Sequence, residues 1–223
     1  MTSAANSQRY SYEGTRRGSN LALLVLANVL PIVGVLVLGW DVGALVVLYW
    51  AENLILGLFT MAKMLVAGGL AALLKVAFFA FHFGAFCAVH GVFISMLLLG
   101  IDDPASSNAR WPLPFVFFEM LFAVMTGIVA VAPKAWLIGV AGLVISHGYS
   151  FFSNFIFGPE RDRTSVSKLM TAPYGRIIIL HIAVITGAIA ADALGEPPVI
   201  LLALIVLKIG VDIVLHLREH RRA

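Results

Sequence analysis

Long apolar runs, each about as long as a bilayer is thick, leave this chain few options. They lie at 20–39, 44–66, 70–99, 113–132, 135–157, 174–193 and 197–217, with only short polar segments between them. A helix needs about 20 apolar residues to cross a hydrocarbon core of about 30 Å. Only helices and closed barrels satisfy their own backbone polar groups in lipid. The pattern therefore predicts an all-α, polytopic membrane helical bundle of about seven transmembrane helices. Composition agrees, because 61% of the residues are hydrophobic and 12% charged, with a mean hydropathy of +0.97, outside the range of soluble domains. The expected organisation is a polar N-terminal tail at 1–19, a single transmembrane domain at 20–217 and a basic tail at 218–223, in the cell membrane. The run at 20–39 is too long for a signal-peptide core and lacks a small-residue cleavage site, so it is expected to stay as a span.

The punctuation supports these boundaries. Trp40, Trp111 and Trp136 suit an interfacial belt, and "GWD", "IDDPASSNARWP", "GPERDRTSVSK" and "LGEPP" read as turns or loops. The basic residues cluster at Arg9, Arg16 and Arg17; at Lys63 and Lys75; at Arg161, Arg163, Lys168 and Arg176; and at Arg218, Arg221 and Arg222. If all seven runs cross, the first two clusters face away from the last two, against the positive-inside rule. If 113–132, which carries Glu119, is re-entrant or interfacial, six runs cross and every cluster falls on one side. Either way, 158–173 and the C-terminus are expected in the cytoplasm. The net charge of +3 sits at span ends, so no nucleic-acid partner is expected.

Polar groups inside the runs carry the functional signal, since an ionisable side chain at mid-bilayer costs a few kcal/mol and is usually paired, hydrated or at work. The second run has "YWAEN" with Glu52 and Asn53, and the third has "HFGAFCAVHGVFI" with His82 and His90. The fifth has "SHGYSFFSNF" with Ser146, His147, Ser150 and Asn154. The sixth has "PYGRIIILH" with Arg176 and His181, and the last has "LKIGVDIVLHLREH" with Lys208, Asp212 and His216. Cys87, the only cysteine, lies in an apolar run and reads as a buried thiol.

Taken in order, these motifs resemble those of an uncharacterised prokaryotic family of multi-pass integral membrane proteins, a domain of unknown function, over roughly residues 45 to 220. The resemblance implies a membrane location and a shared architecture. It implies no activity.

Spacing and depth limit which groups share a site. His82 and His90 are eight residues apart, about 12 Å along a helix axis, too far to ligate one ion through bonds of about 2 Å. Glu52, His90 and His147 are each central in their runs, and one carboxylate with two or three imidazoles is the composition of a zinc or iron site. The candidate metal ligands are thus Glu52, His82, His90, His147 and His216; a single haem is the lesser alternative. Asn53, Ser146 and Ser150 are candidates to orient the rings, and Arg176, Asn53 and Asn154 to hold a cofactor or anionic head group. Lys208, Asp212 and His216, spaced by four, form one polar stripe. Two function classes follow. One is a metal-dependent intramembrane enzyme acting on a lipid or small amphiphile. The other is a proton- or ion-coupled transporter or channel, with Glu52, His147, His181, Asp212 and His216 as a relay. Membrane lipids are the expected partners in both. No phosphate loop, nucleophile elbow or HExxH motif is present.

Overall fold

The computed structural model describes residues 42–101, 112, 115–131, 134–175, 177–178 and 181–182. The runs at 20–39 and 197–217, both tails, and Arg176, Lys208, Asp212 and His216 lie outside the described residues. Among the described residues every regular element is helical: α1 Val42–Gly68, a 3-10 turn Gly69–Ala72, α2 Leu73–Leu99, α3 Val116–Val131, α4 Lys134–Ser150 continued by a π-helical turn Phe151–Ile156, a 3-10 turn Arg161–Arg163, and α5 Val166–Thr171. These elements match the expected runs 44–66, 70–99, 113–132 and 135–157 to within a few residues. Helical backbone is also present at 174–175, 177–178 and 181–182, where the sixth run begins.

Helices α1 and α2 form an antiparallel hairpin. Gly69 makes the reversal with φ +54°, a left-handed conformation that glycine adopts without penalty. From there Met64 packs with Phe79, Gly57 meets Phe83, and Trp50 meets Gly91. The Trp50 indole N–H donates to the Cys87 carbonyl at 2.8 Å in the buried seam. Cys87 is itself buried, as its apolar run implies. At Gly91 a methyl group would lie 2.6 Å from Val124 Cγ1 and 2.8 Å from Trp50 Cζ2, so only glycine lets three helices approach there.

The other helices follow α1 and α2 without alternating. Phe117 meets Phe81, Phe118 nears Gly84, Val124 nears Gly91 and Gly127 nears Ile101, so α3 runs parallel to α2. Its end, Val131, is therefore at the same end of the bundle as Ile101. In α4, Gly139 meets Leu48 and Gly148 nears Phe59, so α4 runs parallel to α1.

Two apolar clusters fill the seams. One joins Val47, Trp50, Ile94, Val124 and Ile128 at the end where α1 begins. The other joins Met64, Phe79, Phe83, Phe155, Leu169 and Ile177 at the hairpin turn. Residues 157–173 fold over that second end, tied by Lys63 to Glu160 at 2.6 Å, by Arg161 to the Val66 carbonyl at 3.2 Å, and by Lys75 to Ser167 at 3.1 Å.

Two helical stretches are long and apolar enough to cross a membrane: Gly43–Met96, which the Gly69 turn folds into the hairpin, and Trp136–Ile156. Helix α3, with 16 residues, spans only about 24 Å. The outward faces are strongly apolar: Leu70 is 84% exposed and Leu74 86%, with Phe122, Ile138 and Ile145 also turned outward.

Candidate functional site

The polar side chains of the long helices meet in pairs, and the pairing follows from which face of the hairpin each one occupies. Glu52 faces α4, where His147 Nε2 stands 3.6 Å from Glu52 Oε1. Phe59 stacks on the His147 ring at a centroid distance of 6.3 Å. Thus the expected partnership of Glu52 with His147 is present.

His90 does not join them. It lies on the face of α2 turned toward Tyr174 and His181, so its Nε2 meets His181 Nδ1 at 2.5 Å while its Nδ1 meets the Phe86 carbonyl at 2.6 Å. His90 is 1% exposed. Two turns earlier on the same face, His82 Nδ1 meets the Tyr174 hydroxyl at 2.8 Å. His82, Phe86 and His90 recur every four residues, which places them on one helical stripe. Depth alone had grouped His90 with Glu52 and His147. The faces separate them, since α1 presents Glu52 to α4 and α2 presents His90 elsewhere.

Hydrogen-bond logic sets the tautomers of the histidine pair. A carbonyl only accepts, so His90 Nδ1 carries a proton and, in the neutral ring, Nε2 is an acceptor. His181 Nδ1–H then donates to it, which leaves His181 Nε2 with the lone pair. The pair is thus a single donor–acceptor hydrogen-bonded unit. It is not a through-wire, because the Phe86 carbonyl cannot receive the proton on Nδ1.

Among the described residues no three or more His, Cys, Asp or Glu side chains gather closely enough to hold a metal ion. The direct nitrogen contact between His90 and His181 is also shorter than the separation of about 4 Å that two ligands opposite each other on one iron require. Asn53 is buried and its amide donates to the Tyr49 carbonyl of its own helix at 2.9 Å. Ser146 is exposed. Asn154, in the π-helical turn, donates to the Ser150 hydroxyl at 3.1 Å. Among the described residues, Asn53 and Ser150 thus bond to Tyr49 and Asn154.

Beside the Glu52–His147 pair is a cavity of about 240 Å³, walled by Phe59, Thr60, Lys63, His147, Ser150 and Glu160. It lies between α1, the end of α4 and the covering segment 157–173. Lys63 and Glu160 form an ion pair across it, with Lys63 also 5.2 Å from the Phe155 ring centroid. Sequence reasoning missed three of these participants. Tyr174, Lys63 and Glu160 stood in the sequence as a span-end aromatic, a topology charge and a loop acid, and only the turns of the chain bring them to the polar groups.

No curated protein and no solved structure matches the chain. A family model described as a family of unknown function matches residues 12–223, almost the whole length, and the chain belongs to that family, DUF6498.

Proposed function

We propose that this protein is a multi-pass protein of the cell membrane that moves protons, alone or coupled to another solute, through paired acid–base side chains held between its helices. The observation that carries this reading is the occurrence of two separate pairs at one height. Trp50 touches Gly91, so Glu52, two residues along α1, and His90, the neighbour of Gly91, both lie within about 3 Å of that level. A carboxylate–imidazole pair and an imidazole–imidazole pair are each able to hold and release a proton, and such groups at membrane depth mark proton paths.

The contact between Lys63 and Glu160 supports six crossings with α3 re-entrant. Three consecutive crossings between the hairpin turn and the 157–173 segment would place the two on opposite faces. Two crossings, α2 and α4, place them together, and α3 then enters and leaves at the other end. In that arrangement Lys63, Lys75, Arg161, Arg163 and Lys168 share the cytoplasmic face.

A metal-dependent enzyme acting on a lipid or small amphiphile is the second reading, favoured by the position of the Glu52–His147 pair beside a cavity. A hydrolytic zinc centre needs three protein ligands and an open position, so this reading requires a further ligand such as Asp212 or His216 to join Glu52 and His147.

Reconstitution separates the two. Liposomes holding the purified protein and a trapped pH dye should acidify under an imposed inside-negative potential, faster than empty liposomes. Near-stoichiometric zinc or iron in the purified protein, with no acidification, would overturn the proton reading in favour of the enzyme.

A further inference from the structure

The cavity beside His147 has a wall that belongs to none of the long helices. Its roof is the 157–173 segment, seated by Leu169 and Val166, which pack into the cluster at the hairpin turn, and tied along its rim by Lys63 to Glu160, Arg161 to the Val66 carbonyl, and Lys75 to Ser167. The one ion pair among these ties, Lys63 with Glu160, is partly exposed to solvent, which weakens it. The π-helical turn Phe151–Ile156 lies between His147 and the roof along the chain, and such turns are frequent at functional sites. The cavity has room for several waters, each of which needs about 10–15 Å³ of such space and a few polar partners. The Thr60 and Ser150 hydroxyls, the Lys63 ammonium and the Glu160 carboxylate provide those partners.

We infer that this cavity is a water-filled inlet connecting the Glu52–His147 pair to the aqueous phase at the basic end of the bundle, with the Lys63–Glu160 ion pair as its latch. The inference rests on the proton reading, for which it identifies the entrance and the face on which it opens. The wall is mixed, with Leu56, Phe59 and Leu169 beside the polar groups, and the ligand those polar groups take is water.

Two positions on α1 make a direct test. Leu58 is 62% exposed on the outer surface, whereas Thr60 is 6% exposed and lines the cavity. In a membrane the first faces lipid, where a thiol stays protonated and meets no charged reagent. Single-cysteine additions Leu58→Cys, Thr60→Cys and Ser150→Cys would be treated in inside-out vesicles with a sulfonated, membrane-impermeant methanethiosulfonate; the buried native Cys87 is the unreactive background. Thr60→Cys and Ser150→Cys should react at least tenfold faster than Leu58→Cys, the reverse of their order of exposure. Adding Glu160→Gln should raise the Thr60→Cys rate severalfold.

Should Thr60→Cys fail to fold, Ser150→Cys carries the test. Cavity cysteines no faster than Leu58→Cys would overturn the inlet, and an unchanged rate with Glu160→Gln would overturn the latch. Proton flux without cavity labelling would refute the inlet alone; labelling without flux would refute the proton reading and leave the inlet standing.

Discussion

His90 Nε2 and His181 Nδ1 lie 2.5 Å apart although 91 residues separate them in sequence, and this contact joins α2 to the helical segment that begins at Tyr174. Because His90 is buried, its Nε2 has no water to turn to when His181 is lost. His181→Ala should lower stability by about 1–3 kcal/mol, the usual cost of a buried polar group without a partner. His181→Gln should recover part of that, since its amide N–H still reaches toward His90. Thermal unfolding in one detergent checks the pair, and an unchanged stability in His181→Ala would mean that the hydrogen bond contributes nothing.

Gly91 predicts a purely steric effect. Gly91→Ala puts a methyl group against Val124 and Trp50 at once, and should cost about 1–3 kcal/mol as overpacking of a well-filled seam. At Gly142 nothing lies within 4 Å of the added carbon, so Gly142→Ala should be neutral or slightly stabilising through helix propensity. The same unfolding measurement decides, and equal behaviour of the two variants would contradict the close approach of α1, α2 and α3 at Gly91.

Topology gives a prediction independent of function. Cysteines at Leu70 and Ser165 should both be labelled from the cytoplasmic face, because the hairpin turn and the covering segment touch. Labelling from opposite faces would restore seven crossings.

Element lengths were legible in the sequence because polar and turn residues bound each apolar run, and 44–66, 70–99, 113–132 and 135–157 each emerge as a helix close to the expected bounds. Heights were legible too, which is why Glu52 and His147 were expected together. The faces were not. These helices are apolar nearly all the way round, as α2 shows with Phe78 outward and Phe79 inward, so periodicity does not tell which side meets a neighbour. Hence neither the turn of His90 toward His181 nor the parallel course of α3 along α2 was readable, and the latter also depends on how the chain returns between Ile101 and Val116. The stripe His82, Phe86, His90 was visible as spacing, but its partners Tyr174 and His181 follow only from the fold.

The central claim is that both acid–base pairs take part in moving protons, and substitution-resolved flux in liposomes tests it most directly. Glu52→Gln and His90→Gln keep the size and hydrogen-bonding character of each side chain while removing its titration. Measured against wild type at equal protein density and equal imposed potential, each should reduce the rate of internal acidification at least tenfold, while Leu58→Gln on the outer surface leaves it within about twofold. A wild-type rate in either Glu52→Gln or His90→Gln would contradict the claim.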